Sequence, residues 1–512
     1  MDIFSPQVIA SIVSLKGILL ITGGVMLGLV FGAIPGLTAT LGIALAIPIT
    51  FILSPLEAMA TLGGIFIGGI SGGLVSATLI NMPGTPSSIC TTFDAAPLAQ
   101  KGRASEALSI GVFSSFIGGI FSWIVLVTVS PQLAKIAIQF GPYEYFWLAV
   151  LGISVIIGLG GDAPSKAFVA AVIGLLISMI GVDPVDGLER FTFGLGPLRS
   201  GFSLIPTMVG LFVVSEVLLG IEDIKKKYVL ADQKIKKLSI KSVLVNYKES
   251  IANWLRSSVI GTFLGILPGV GGAIANFICY DIAKKFSKNP QNFGKGEPQG
   301  IIASETGNNA TTGGALVPML TLGIPGDSVT AVMLGALLLH GVRPGPMLFQ
   351  VNKSFVSGFF LAVLIANVIM LFLMFGGGIR FFIKALTIPR WFLFPLVLVM
   401  IVAGSWTLQY STFDVWSALF LGFMGYFLRK LKYPMAPMVL GVILAPIMEE
   451  NFRRAMVHSQ GALMPFFTRP YSAIIVVAIF LSIFTSLWFA KKQFKTGTDE
   501  LINENNSTTE TI

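Results

Sequence analysis

Apolar runs of about 20 residues, the length that crosses a bilayer's hydrocarbon core as a helix, recur along this whole chain. They include Gly17–Ile34, Leu56–Ile80, Leu108–Val129, Phe146–Gly160, Phe355–Phe375 and Ser472–Ala490. This constrains the fold severely, because lipid leaves a spanning backbone two solutions, helices or a closed barrel. A membrane barrel would show alternating segments of about ten residues, which are not present. Only 12% of the 512 residues are charged and 54% are hydrophobic, against roughly 25% charged in soluble domains. The expected fold class is therefore all-α, a polytopic, multi-pass protein of the lipid bilayer.

The net charge of +9 falls between spans rather than along one face. That excludes nucleic acid as a partner and fits the positive-inside rule. Lys225, Lys226, Lys227, Lys234, Lys236, Lys237, Lys241 and Lys248 share one linker, assigned to the cytoplasm. The tail after Lys491, Lys492 and Lys495 is polar and is expected to be cytoplasmic and disordered. The start, MDIFSPQVIASIVSLKG, has no basic n-region, so no cleaved signal peptide is expected. Cys90 and Cys279 form no disulfide framework, and His340 and His458 are too few for a zinc site. Both histidines read as polar residues at helix ends. No cofactor or structural metal is expected.

The chain also repeats itself. GLVFGAIPGL (28–37) matches GTFLGILPGV (261–270), with Gly28, Gly32, Pro35 and Gly36 aligned on Gly261, Gly265, Pro268 and Gly269. LVSATLINMPGTPSS (74–88) matches LVPMLTLGIPGDSVT (316–330), with Pro83-Gly84 aligned on Pro325-Gly326. Two motifs in the same order in each half point to internal repeats: residues 1–221 and 253–490, joined by the basic linker 222–252 and followed by the tail 491–512. Repeats with interrupted apolar segments in corresponding places are the mark of a secondary transporter. The relative orientation of the halves stays open. The basic linker before the second half favours inversion; the basic segments that end both halves oppose it unless 472–490 is an extra helix.

Each Pro-Gly pair interrupts a helix. Around Pro268-Gly269 the arms are roughly 14 residues, about 21 Å at 1.5 Å per residue, short of the ~30 Å core. Basic residues flank both sides, Lys248 and Arg256 before and Lys284, Lys285 and Lys288 after. This predicts a hairpin over Trp254–Lys285 that enters and leaves on one side; a single kinked helix is the alternative. At such breaks, free N–H groups of the next half-helix suit an anion, and carbonyls of the previous one suit a cation such as Na⁺.

The residues after the breaks fit that use. The first half supplies Asn81, Gly84, Thr85, Ser87, Ser88 and Thr91; the second supplies Asn308, Asn309, Thr311 and Thr312, then Gly326, Ser328 and Thr330. Hydroxyls and amides bind carboxylate oxygens without the desolvation cost of a buried cation. The competing reading is that they bridge helices or bond their own backbone. Three acids in apolar surroundings, Asp327, Glu305 and Asp94, are candidates for the coupling ion, Na⁺ or H⁺. Asp327 equally suits an N-cap for a helix beginning at Ser328, and Glu305 equally suits an ion pair with a base such as Arg343. Asp162 and Lys166 are further charges in apolar context.

At these residues the chain resembles the large permease subunit of the tripartite tricarboxylate transporters, the TctA-type family. The resemblance spans nearly the whole chain. Its carriers are GLVFGAIPGLTATLG, NMPGTPSSICTTFDAAPLAQKGRASEAL, FGPYEYFWLAVLG, RFTFG, GTFLGILPGVGGAIANFICYDIAKK and SETGNNATTGGALVPMLTLGIPGDSVTAVMLGALLLHGVRPGPMLF. It implies about a dozen helices in the cytoplasmic (inner) membrane. It also implies a small membrane subunit and an extracytoplasmic solute-binding protein as partners, an organic anion as substrate, and uptake driven by an ion gradient. No Walker A sequence is present, in line with transport without an ATPase. Asp327 departs from the small residue often found there in the family.

The expected function is import of tricarboxylates or other small carboxylates by broken helices from both halves. The rival readings are a channel-like anion pore, which needs a continuous polar path, and an intramembrane enzyme, which needs a catalytic pair on facing helices.

Overall fold

The structure is a computed structural model that describes residues 5–158, 164–183, 186–222, 238–239, 243, 247–386 and 388–481. Most of the lysine-rich linker, Asp162 and the 491–512 tail lie outside the described residues. The described chain is all-α apart from one antiparallel two-residue pair, Gly181–Val182 with Glu189–Arg190. Six described helices are long and apolar enough to cross a membrane: Leu15–Ala33, Pro55–Leu79, Pro86–Ala137, Leu204–Glu222, Lys353–Lys384 and Met435–His458. The chain is a multi-pass membrane protein.

It divides into two compact units that do not follow chain order. One comprises Met1–Gln139 and Thr192–Leu431; the other comprises Phe140–Phe191 and the chain from Lys432. In the second unit, Gly174 lies against the Met438 carbonyl and Gly441 against the Ala171 carbonyl, which lets Pro164–Ser178 and Met435–His458 cross closely. Arg453 there bonds Asp183 (2.7 Å) and Asp186 (2.9 Å). Buried Glu144 accepts from Arg469 Nε (2.9 Å) and the Ser472 hydroxyl (2.7 Å).

The first unit contains two copies of one arrangement. Each copy has a hairpin of two helices, then a 25-residue central helix, a second break, and a short helix. The first hairpin is Leu15–Ala33 with Ala39–Thr50, and its central helix is Pro55–Leu79. The second hairpin is Tyr247–Ile266 with Gly271–Phe286, and its central helix is Pro298–Leu322. The hairpin turns use Gly36 and Gly269 at φ 87° and 82°, where a side chain would be strained. The Arg256 guanidinium lies over the Phe286 ring (4.8 Å), so the outer ends of the second hairpin's arms meet. Residues 254–285 are a hairpin rather than one kinked helix.

Corresponding glycines make corresponding approaches. Gly28 and Gly32 press on the Ile65 and Gly69 carbonyls; Gly261 and Gly265 press on those of Gly307 and Thr311. Gly84 closes on the Gly32 carbonyl and Gly73, and Gly326 on the Gly265 carbonyl and Ala315. Small residues permit such backbone contact, which is how membrane helices gain dispersion energy without a hydrophobic drive.

Local chemistry sets the ends of these helices. Pro55–Leu79 begins with a capping box, Ser54 N–H donating to Glu57 (3.1 Å) and Glu57 N–H to the Ser54 hydroxyl (3.5 Å), with Pro55 in the first turn. Pro298–Leu322 ends at Gly323 in the left-handed region (φ 71°). From Gln299 to Thr321 every residue of this second central helix is buried. Protein surrounds it on all sides, which is how it carries Glu305, Asn308 and Asn309. His340 and His458 do stand at helix ends, as the sequence predicts.

Gly32→Ala should lower the melting temperature by several degrees in detergent, because its methyl group meets backbone that must move. Gly23→Ala, on the same helix with open space around it, should leave the melting temperature unchanged or slightly raised. Equal melting temperatures for the two variants would contradict this packing.

Candidate substrate and ion site

The breaks of the two copies meet reciprocally. Thr40, two residues into the first hairpin's inner helix, bonds Ser328 at the start of Ser328–Leu339 (Oγ1 to Oγ, 3.1 Å). Gly272, at the start of the second hairpin's inner helix, sits against Ser87 and Asn308. A Cβ at position 272 would lie 2.6 Å from Asn308 Oδ1 and 2.8 Å from Ser87 Cβ. Within one residue, these contacts exchange the roles of the two copies. The second copy's breaks are also tied directly, Gly269 N–H donating to the Gly326 carbonyl (2.6 Å).

At this junction the helix starts differ in how they are finished. Thr38 caps Ala39–Thr50, its hydroxyl accepting from Leu41 N–H (3.2 Å). Thr85 and Ser88 close a reciprocal box around Pro86–Ser88, and Thr85 also bonds Ser87 (3.0 Å). Asp327 caps Ser328–Leu339, accepting from Thr330 N–H (2.7 Å) and the Thr330 hydroxyl (2.7 Å). Gly271–Phe286 alone among these starts has neither a side-chain cap nor a reciprocal box. Its first N–H groups carry the helix's partial positive charge next to Ser87 and Asn308. Asn308 is fully buried, and neither Oδ1 nor Nδ2 has a hydrogen-bond partner. Leaving a buried polar group unpaired costs about 1–3 kcal/mol. An uncapped helix start, an unpaired amide, a hydroxyl and a glycine cradle therefore share one place.

A second polar cluster lies beside it. Glu305 is fully buried and accepts from the Thr91 hydroxyl at Oε1 (2.6 Å) and the Ser115 hydroxyl at Oε2 (2.8 Å). Asn309 Nδ2 approaches Oε2 at 3.4 Å and bonds the Glu305 carbonyl (3.0 Å), while Asn309 Oδ1 accepts from Ser71 (2.7 Å). Thr91 also reaches Ser304 (3.2 Å). The pairing of Glu305 with Arg343 is not made: Arg343 is exposed, and the carboxylate's partners are hydroxyls and an amide.

Other candidates are placed elsewhere. Asp94 accepts from the Gly294, Gly296 and Glu297 backbone N–H groups (2.9, 2.8 and 2.7 Å) and from the Tyr280 hydroxyl (2.8 Å). It clamps the loop that leads into Pro298–Leu322. Asn81 is exposed in a left-handed turn (φ 52°) just past Pro55–Leu79, a place where Asn is favoured. Thr311 and Thr312 bond the Asn308 and Asn309 carbonyls of their own helix (both 2.7 Å). Gly84 and Gly326 are packed against backbone, and Pro35, Pro83, Pro268 and Pro325 all lie in the breaks between helices.

The model of the tripartite tricarboxylate transporter TctA family matches residues 18–440. The chain belongs to the TctA family. Two Agrobacterium vitis proteins are similar to this TctA-family chain. An uncharacterized 52.8 kDa protein in the TAR-I ttuC' 3' region is 36% identical over 88% of this chain and 89% of its own length. An uncharacterized protein in the TAR-II ttuC' 3' region is 35% identical over 44% of this chain and 95% of its own. No solved structure matches.

Several residues of the TctA-family junction escape sequence reasoning. Thr40 and Gly272 lie just past the Pro-Gly pairs, inside quoted motifs but not among the candidate residues, and Ser71 and Ser115 come from helix interiors with no special motif. Asn276 accepts from Cys90 N–H (2.8 Å) and donates to the Ser304 carbonyl (3.1 Å), holding the second hairpin to its neighbours. A polar residue in an otherwise apolar helix face was the available signal for Asn276.

Asp94→Ala removes four hydrogen bonds to one carboxylate, a loss of a few kcal/mol. Limited proteolysis should then cut the 289–297 loop faster, with Tyr280→Phe giving a smaller increase. Unchanged cleavage in Asp94→Ala would contradict the clamp.

Proposed function

We propose that this protein is the large membrane subunit of a secondary active transporter that imports small carboxylates, tricarboxylates among them, across the cytoplasmic membrane. It works with a small membrane subunit and an extracytoplasmic solute-binding protein. A Na⁺ or H⁺ gradient drives it. Support comes from membership of the tripartite family and, above all, from the junction at Ser87, Gly272 and Asn308. A substrate carboxylate there would accept from Asn308 Nδ2, the Ser87 hydroxyl and the free N–H groups at the start of Gly271–Phe286.

Asp327 explains the choice of side. It already supplies a carboxylate to the start of Ser328–Leu339, so that helix needs no anion from outside. The uncapped Gly271 start does. The coupling ion is assigned first to Glu305, which shares the second central helix with Asn308. Movement of one copy's tip against the other would disturb both sites together, which is the condition for coupling.

Uptake by proteoliposomes carrying all three subunits tests this. Asn308→Ala and Ser87→Ala should each raise the substrate concentration for half-maximal uptake by about tenfold, the effect of losing roughly one charge-assisted hydrogen bond. Glu305→Gln should change the dependence on Na⁺ or pH and leave substrate selection intact. Normal uptake in both pocket variants would refute the pocket. Non-saturating uptake that ignores an imposed ion gradient would mean a pore.

A further inference from the structure

The outer end of the second hairpin holds a cavity that the transport reading does not use. Its volume is about 170 Å³, and Asn253, Arg256, Phe286, Ser287, Lys288 and Gln299 line it. That is room for several waters, or for a small anionic group in their place. Two of its walls are cationic. No carboxylate among the described residues pairs with Arg256, and its Nε is buried without a hydrogen-bond partner. The guanidinium is nonetheless held in place: Nη2 donates to Asn253 Oδ1 (3.2 Å) and the group lies over the Phe286 ring (4.8 Å). Asn253 is itself fixed by Gln299, its Nδ2 donating to the backbone carbonyl (2.9 Å) and to Oε1 (3.0 Å). A guanidinium oriented by neutral groups and lacking an anion is built to receive one.

With the hairpin tip at mid-depth, a placement that rests on the proposed transport site, the depth of the cavity matches a headgroup. Arg256 precedes the end of its helix at Ile266 by about ten residues, or roughly 15 Å along the axis. That is half of the ~30 Å hydrocarbon core, so a hairpin tip at mid-depth puts Arg256 at the core's edge. Beside it and toward the tip, on the exposed side of the same helix, run Leu255, Val259 and Phe263, at 57%, 50% and 61% exposure. They recur every fourth residue and form one apolar stripe about 12 Å long, beginning beside the cavity.

We propose that this cavity binds the phosphate of an anionic phospholipid, with Arg256 and Lys288 as its cationic ligands and one acyl chain along Leu255, Val259 and Phe263. A phosphate group is the shared chemistry; the stripe favours the lipid over free phosphate. The bound lipid fixes the outer end of the hairpin whose inner end carries Gly272.

The test is the melting temperature of the full-length protein in detergent, titrated with short-chain phosphatidylglycerol, phosphatidylcholine or inorganic phosphate. Phosphatidylglycerol should raise it saturably and phosphatidylcholine much less. Arg256→Gln should weaken the apparent affinity for phosphatidylglycerol roughly fivefold or more, and Lys288→Gln should do so in part. Arg256→Lys, which keeps the charge but loses the stacked planar fork, should give a response between those of wild type and the glutamine variant, and serves if the glutamine variant does not fold. An equal response in wild type, Arg256→Gln and Lys288→Gln overturns the proposal. Inorganic phosphate reproducing an Arg256-dependent shift would overturn the lipid assignment in favour of a small anion.

Discussion

A helix broken inside a membrane must find partners for the backbone groups it frees, and this requirement organises the first unit of the protein. The Gly269 N–H that leaves the second hairpin is satisfied by the Gly326 carbonyl of the other break in the same copy. Three of the four post-break helix starts are finished by Thr38, by Thr85 with Ser88, and by Asp327. Each device holds two segments in register at the junction. The glycines follow from the same need, because backbone can bond backbone at that distance only where side chains are missing.

The exception is where we propose the substrate binds. Gly271–Phe286 starts without a cap, and beside it stands a buried Asn308 with its amide unpaired. Natural proteins rarely leave such groups without a purpose. The repeat makes the contrast sharper, since the matching start in the first copy is capped by Thr38. A symmetric scaffold thus has an asymmetric junction: one break presents its own carboxylate, Asp327, and the other presents uncapped N–H groups beside an unpaired amide, where we propose the substrate carboxylate binds.

Much of this was legible in the sequence, and the reasons differ by element. The breaks were visible because Pro-Gly within apolar sequence has few physical meanings, and their recurrence in one order removed most of the rest. The hairpin at Pro268-Gly269 followed from arm length and flanking charge. The second central helix was harder to see as a buried helix, since Glu305, Asn308 and Asn309 make it too polar for a hydropathy window; only its surroundings explain it. Asp94 looked like an ion ligand because a lone acid in apolar sequence gives no hint of three backbone donors some 200 residues away. Thr40, Ser71 and Gly272 were hidden for a related reason: their roles come from which helices cross, and no local period records that. The discontinuous pairing of Phe140–Phe191 with the chain after Lys432 was equally beyond local patterns.

The central claim is that a substrate carboxylate binds where the two copies' breaks meet. A cryo-EM map of the protein with its transported carboxylate bound tests this most directly. The account predicts ligand density within hydrogen-bonding reach of Ser87, Asn308 and the first N–H groups of Gly271–Phe286. Density at another place, with Asn308 still unpaired and the Gly271 start still bare, would contradict it.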